Sequence, residues 1–440
     1  MILHNGRNVD HTGGSTRSVP AVGSSPLPSF SLLDLLSAPG RQLLNQVSRR
    51  ASPALAAVSD RLARAFEIKS PFAPAFCCIG AEVELEARAA AANGSSRLSV
   101  TGNGETAAAA LTSCLGEAAD LLSQFERDGD IAAQGASGEL EAAIAQGWIA
   151  AAGVTPARGI DWIAAVEAGS GRRVLLPADL CLRRAALQRA VEPVGALSSG
   201  AAAGPDKDGA ALRAVLELCE RDAAALWWLG GRLPLYLAEN HPAGAAATAL
   251  VERLRRGQSG RRTAVLDITT DLGVPAIAAT SMDDDGRSFA CGVAARLDPI
   301  EAAVAAVLEL FQMELSAPVA AAKLAERGEA GLNDADRRHL ARAAFAAGEC
   351  ALLRPVEASR LEAFPVAAGS VLDGLTTRLE GQGIAVYLAD LSRADLGVSV
   401  MRAVAPHLQP FSGAVTTQRL LRSREICGSP GRRVTAVSLF

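Results

Sequence analysis

Three stretches carry long apolar runs at helical spacing: 106-TAAAALTSCLGEAADLLSQFE-126, the segment 208–228, and 298-DPIEAAVAAVLELFQMELS-316. Apolar residues recur there every three or four positions, as a buried helix requires. The third has a defined start, with Asp298 as N-cap and Pro299 at the first helical position. Between them lie strand-like runs: 173-RVLLPADL-180, 263-TAVLDITTDLGVPAIAAT-280, 288-SFACGVAA-295 and 384-IAVYLADLS-392. Alternation of such runs with helices predicts an α/β protein. Residues 31–68 carry helical periodicity, whereas residues 1–30 are rich in Gly, Ser and Pro and read as a flexible arm.

The polar residues inside the long helices raise the chemical question. In 210-AALRAVLELCERDAAALWW-228, four charges (Glu217, Glu220, Arg221 and Asp222) interrupt an apolar helix. Ser113, Glu117 and Asp120 fall within about 60° of one another on the first helix, and Glu217, Glu220 and Arg221 do so on the second. Glu309 and Gln312 keep the three-residue spacing on the third, with Glu301 about 80° away. The three helices resemble one another in this, although as a sequence repeat the likeness is weak. A buried, isolated carboxylate costs several kcal/mol, and neighbouring carboxylates repel. They need a cation or a proton. Mg²⁺ with nucleotide phosphates is one solution, with Arg221 as a forked phosphate donor and Ser113 as a hydroxyl ligand or donor. Internal ion pairing around Arg221 is a second, and solvent-exposed faces are a third.

Composition narrows the classes. The chain has 440 residues, 49% hydrophobic and 20% charged, enough for a large core or two to three lobes. A net charge of −4 lacks the basic footprint of a nucleic-acid binder. None of the eight cysteines stands in a CxxC pair, and five scattered histidines form no HExxH. No P-loop and no GxSxG elbow occur, and 102-GNG-104 alone is too short for a dinucleotide fingerprint. No uninterrupted apolar run reaches about 18 residues, and the N-terminus lacks a signal design, so a soluble cytoplasmic protein with no membrane partner is expected.

Two blocks, 102-GNGETAAAALTSCLGEAAD-120 and 199-SGAAAGPDKDGAALRAVLELCERDAAALWW-228, resemble the YcaO family. So do LDITTDLGVPAIAAT, 292-GVAARLDPIEAAVAAVLELFQ-312 and 381-GQGIAVYLADLSRADLGVSVMRAVAPHLQPF-411. The likeness runs from about residue 97 to 411, and the ERDAxxxWW block is its most specific part.

The resemblance implies a YcaO-like α/β fold over 97–440, with mixed sheets flanked by helices, following an arm (1–30) and a helical and strand extension (31–96). It also implies ATP and Mg²⁺ as cofactors, held by glutamate-rich helices. Glu117, Asp120, Glu217 and Glu220 would be metal ligands. Ser113, Ser199, Arg221, Glu309 and Gln312 would complete the nucleotide site, with Arg221 and Glu220 catalytic. The ERDA–WW form is similar to the azoline-forming branch, which converts Cys, Ser or Thr of a ribosomal precursor peptide into thiazoline or oxazoline. In that reaction the side-chain nucleophile attacks the preceding amide, whose oxygen leaves as phosphate. A precursor peptide, a separate leader-peptide-binding subunit and a flavin-dependent azoline dehydrogenase are the implied partners. A non-catalytic scaffold subunit and ATP-dependent thioamide formation are the alternatives. The chain departs from the family pattern at Ser199 (usually Asn), Gly209 (usually acidic), Asp120 (usually Glu) and Asn103 (often Lys).

Overall fold

The computed structural model describes residues 30–36, 53–135, 159–193, 195–258, 260–365, 370–411, 415–427 and 437–439. The expected arm at 1–30 lies almost wholly outside the described residues, as does the middle of the 31–68 segment. What is described of that segment is only partly helical: α1 (Leu32–Leu35), α2 (Pro53–Ser59), then strand β1 (Leu62–Glu67). The run LARAFE, which the periodicity predicts as helix, is a strand because β2 (Cys77–Glu84) pairs with it antiparallel. Tertiary pairing overrides a short local helical pattern.

Three sheets organise the molecule. The first is β1-β2-β3, where β3 spans Arg97–Gly104. The second is built from β4 (Ala133–Gly135), β5 (Ile160–Glu167), β6 (Arg173–Pro177) and β7 (Ala201–Gly204), together with β12 (Tyr387–Asp390) and β13 (Ser399–Val404). Its order is β4-β5-β12-β13-β7, with β6 also paired to β5. The third runs β11-β10-β9-β8, from β8 (Leu235–Tyr236), β9 (Arg262–Asp267), β10 (Ala276–Met282) and β11 (Ala290–Ala295). Among the described residues the paired strands of all three sheets are antiparallel. The single run predicted over 263–280 is two strands, β9 and β10, joined by the turn at Gly273, whose φ is +73°.

The three expected helices are α4 (Ala107–Ser123), α5 (Lys207–Trp228) and α7 (Pro299–Arg327). Between and around them lie α3 (Ala87–Asn93), α6 (Pro242–Arg255), α8 (Asp334–Ala344), α9 (Val371–Glu380) and α10 (Gln418–Cys427). Helix α7 runs eleven residues beyond the predicted end, through Pro318. It passes the length and hydropathy test for a membrane span, but most of its apolar window is buried in the core.

Each long helix follows a strand after a two- or three-residue turn: β3–α4, β7–α5 and β11–α7. In each pair a strand glycine lies directly under the helix. A Cβ on Gly102 would fall 2.1 Å from the Cys114 nitrogen, one on Gly204 2.5 Å from that of Ala210, and one on Gly292 2.2 Å from that of Leu310. No real side chain tolerates such distances, so these three glycines let helix backbone rest on strand backbone. The expected likeness among the helices is thus present as a repeated strand–turn–helix unit. Alanines such as Ala110, Ala214 and Ala306, all fully buried, continue the close approach along each helix. This is how a chain with few aromatics fills its interior.

Candidate nucleotide site

The helices begin where the sequence supplies caps. Thr106 accepts from the Ala109 N–H, Asp206 from Gly209, and Asp298 from both Ile300 and Glu301. The far end of α5 is pinned by its two tryptophans. Trp227 Nε1 donates to the Leu352 carbonyl and Trp228 Nε1 to that of Val437, both at 2.8 Å. Trp228 also stacks on Phe289 with ring centroids 5.8 Å apart. With both ends fixed, the middle of α5 presents Glu217, Glu220 and Arg221 at a set depth.

The structure brings carboxylates of all three helices within electrostatic reach of one another. Asp120 on α4 feels Glu117 and Glu217; Glu220 on α5 feels Glu309 on α7; Glu309 in turn feels Glu217. Burial raises Glu217 to about 7, against the opposing pull of Arg221 and with added repulsion from Glu220. Burial likewise raises Glu220 to about 7, with repulsion from Glu309. Asp120, 7% exposed, is pushed well above the usual carboxylate range, first by desolvation and then by Glu117. Its Oδ1 is buried without a hydrogen-bond partner among the described residues. Glu309 is raised too, again chiefly by burial.

Arg221 stands at the centre. Its Nη2 lies 3.3 Å from Glu217 Oε1, and its Nη1 3.5 Å from Glu220 Oε1. Burial opposes its charge, but Glu220, Glu217 and Glu309 overcome that and raise the guanidinium above its usual range. The remaining carboxylate oxygens are held by backbone: Gly200 N–H donates to Glu217 Oε2 and Ala295 N–H to Glu220 Oε2, each at 3.1 Å. Both features considered from spacing, internal pairing around Arg221 and convergence of acidic groups, are therefore present together.

The other expected residues are placed as follows. Ser113 is exposed on α4. Ser199 is half-buried in the turn before Gly200, whose φ of +81° requires glycine, and so lies next to the residue that holds Glu217. Gln312 faces β3: its Nε2 donates to Thr101 Oγ1 at 3.0 Å, and its Oε1 accepts from Asn103 Nδ2 at 2.5 Å. The departure at Asn103 thus binds Gln312, tying the first strand–helix unit to the third.

Several residues near the cluster escaped the sequence reading. Arg183, Arg296 and Arg402 add positive charge: Arg183 and Arg402 act on Asp120, and Arg296 acts on Glu220 and Glu309. Arg402 has a sequence signal, a lone arginine within the strand run VSVMRAV. Asp222, the last charge of the opening puzzle, serves a different purpose. It accepts Nε and Nη2 of Arg419 and the Gln409 N–H, fastening α5 to α10.

Among the described residues, no three His, Cys, Asp or Glu side chains are gathered as a ready metal cage. The acidic side chains of the three helices are thus not gathered as a preformed all-protein cage, and water and nucleotide phosphate would have to supply part of a Mg²⁺ shell here. The unpartnered Asp120 Oδ1 and the raised glutamates are acceptors suited to a hard cation. By donor type the cluster suits a hard cation beside a phosphate.

The model of the YcaO family, described as ATP- and Mg²⁺-binding cyclodehydratases, matches residues 101–409. The chain belongs to the YcaO family. Over 173 residues it is 33% identical to an uncharacterized protein in the tfuA 3′ region of Rhizobium leguminosarum bv. trifolii, covering 36% of this chain and 40% of that one. The chain thus spans well under half of that relative. Among solved structures, a heterocyclase in complex with substrate and cofactor superposes with a TM-score of 0.66 at 20% identity, over 89% of this YcaO chain and 56% of the other. YcaO from Methanopyrus kandleri, bound with AMPPCP and Mg²⁺, gives 0.55 at 20% identity, over 84% and 91%. The E. coli microcin synthetase McbBCD complex gives 0.57 at 14% identity, over 82% and 93%. These likenesses establish the fold. ATP and Mg²⁺ are the cofactors of the family to which the chain belongs.

Proposed function

We infer that the chain is an ATP-dependent peptide cyclodehydratase. It would convert Cys, Ser or Thr of a ribosomally made precursor into thiazoline or oxazoline. The observation that carries this is the meeting of Glu217, Glu220 and Glu309 around Arg221, with Asp120 within reach of Glu217, in a family of ATP- and Mg²⁺-binding cyclodehydratases. Glu217 and Glu220, with Glu117 and Asp120 across the site, would hold Mg²⁺. Arg221 would orient a phosphate through its fork, and Ser113, Ser199, Glu309 and Gln312 would border the nucleotide. When bound, Mg-ATP supplies the phosphoryl group that makes an amide oxygen a competent leaving group. The chain's own contribution is positioning and fixed charge. The backbone N–H groups of Gly200 and Ala295 hold Glu217 and Glu220 in orientation. Glu220 Oε1 is the atom facing Arg221, so the carboxylate that would serve the metal also helps to orient the arginine fork.

Neighbours of this fold include a microcin synthetase complex with pro-MccB17 bound. This favours a precursor peptide as substrate and partner subunits here; in this reading a separate subunit would bind the leader in the cytoplasm, and a flavin-dependent dehydrogenase would act afterwards on the azolines. The test is incubation with a short Cys/Ser/Gly-rich peptide encoded beside this gene. Loss of water from the peptide, with ADP and phosphate formed only in its presence, is the expected result. ATP turnover without a peptide mass change would redirect the reading to another nucleophile. No melting shift with Mg-ATP would leave a scaffold.

A further inference from the structure

Among the described residues β11 is an end strand of the third sheet, paired on one side with β10. In an antiparallel ladder the N–H and C=O of one residue point to the same side, and successive residues alternate. Arg296 N–H donates at 3.0 Å to the Pro275 carbonyl, on the β10 side. Ala295, one residue earlier, therefore turns both its polar groups to the open edge, toward α5. Its N–H donates to Glu220 Oε2 at 3.1 Å, and its carbonyl accepts from Arg296 Nη1 at 2.7 Å. One residue thus holds a carboxylate and a guanidinium side by side on the sheet edge that faces the cluster.

Arg296 is committed less than the other arginines around the cluster. Arg221 is drawn to Glu217 and Glu220. Arg402 bonds backbone carbonyls and has its Nε closed to solvent. Arg296 is half-buried, and the Ala295 carbonyl is its one side-chain hydrogen-bond acceptor among the described residues. Its Nε and Nη2 make no hydrogen bond there, yet neither atom is closed to solvent. The charge of Arg296 reaches Glu220 and Glu309, but it forms a salt bridge with neither. An arginine placed only to neutralise them would close onto a carboxylate, because the forked contact is the strongest it can make. Tethered by one nitrogen instead, it keeps two donors open to a solute.

We propose that Arg296 is a second phosphate fork of the nucleotide site, an assignment that rests on the magnesium–nucleotide reading above. The two oxygens of Glu220 divide the arginines: Oε1 faces Arg221, and Oε2 sits on the residue that tethers Arg296. A bare anion at Arg296 would meet the repulsion of Glu220 and Glu309. An anion that arrives with its own divalent cation would not, because the carboxylates bind that cation while the guanidinium binds the phosphate oxygens. The chemistry of the neighbourhood thus selects a metal-bound polyphosphate over a carboxylate or a free phosphate.

The test is calorimetric titration of the full chain with Mg-ATP at pH 7 and pH 9, for the parent, Arg296→Ala and Arg296→Lys. Arg296→Ala should bind about tenfold more weakly, or worse, at both pH values, the loss expected of a charge-assisted bond. Arg296→Lys keeps the charge without the fork and should recover only part of that loss. Both variants should melt with the parent in the absence of nucleotide, because the side chain bonds only to its neighbour's carbonyl. If Arg296→Ala melts low, Arg296→Lys carries the same comparison. The second pH separates the fork from charge compensation. At pH 9 Glu220, which titrates near 7, is ionised without help, so loss of a merely compensating cation would cost nothing there. Affinity lost at pH 7 and regained at pH 9 would overturn the proposal, and so would full recovery by Arg296→Lys. Parent-like binding by Arg296→Ala would defeat this assignment alone. No Mg-ATP binding by the parent would defeat the nucleotide reading and the fork with it.

Discussion

The amide of Ala295, at the last position of β11, donates to Oε2 of Glu220 in the middle of α5. This bond joins two strand–helix units far apart in sequence and fixes one carboxylate oxygen while leaving the other toward Arg221. The residue at 220 is thus both a structural tie and an electrostatic liability, and the two roles can be separated by substitution.

Glu220→Gln keeps an acceptor for Ala295 and removes a buried negative charge; Glu217→Gln does the same for Gly200. Each variant is expected to melt higher than the parent without ligand, because repulsion inside the cluster is relieved. Each is also expected to lose the stabilisation by Mg-ATP, which amounts to about 2.7 kcal/mol at a hundredfold excess over Kd. Differential scanning fluorimetry with and without Mg-ATP reads both effects. An undiminished nucleotide shift in both variants would refute their assignment as metal ligands.

The pH dependence has a definite sign. Glu217 and Glu220 titrate near 7 in the folded chain, above the ordinary glutamate value of 4.5. The folded state therefore binds more protons than the unfolded state between those values. The stabilising contribution of these groups is present below about pH 4.5 and is lost as pH rises through about 7. Metal binding requires the ionised forms, so Mg-ATP affinity should fall from pH 8 to pH 6, by about tenfold for each carboxylate that must ionise. Calorimetric titration at the two pH values, with release of protons at the lower one, checks this.

Asp222 is fully buried and receives a bidentate arginine. Arg419→Ala strands that carboxylate, and a loss of about 3–5 kcal/mol is expected. Urea denaturation should show a lower midpoint with an unchanged slope. A loss below about 1 kcal/mol would mean that solvent reaches Asp222.

Much of this was legible in the chain. The caps at Asp298 and the apolar spacing gave the three helices, and the stripes of acidic residues identified which faces meet. Four things were not legible. LARAFE reads as helix because its strand character comes from pairing with β2, a partner that local periodicity does not reveal. Gln312 has the spacing of a ligand, but only the fold places Asn103 and Thr101 against it. Arg402 was missed for a related reason: one charge in a strand is ordinary until its surroundings are known. The third sheet's hairpin reads as one run because Ile268, Leu272 and Val274 carry the apolar pattern of its arms through a turn that otherwise holds Thr269, Thr270 and Asp271.

Glycine substitutions test the packing of the units. Gly102→Ala and Gly292→Ala each force a Cβ into helix backbone at about 2 Å and should cost several kcal/mol. They should also blunt the Mg-ATP shift, since α4 and α7 carry Asp120 and Glu309. Gly116→Ala, on α4 with nothing within 4 Å of the added carbon, should be neutral or stabilising by up to about 1 kcal/mol. Equal effects at positions 102 and 116 in thermal melts would refute this view of the packing.

Bare backbone contact beneath each long helix leaves no spacer to trim or extend. The distance of each long helix from its strand is therefore set by peptide geometry, and drift in leucine or valine elsewhere in the interior can be absorbed without re-tuning it. A lineage of such chains can change the side chains around the carboxylate cluster while the three strand–helix contacts, built to zero clearance, stay at a constant gauge.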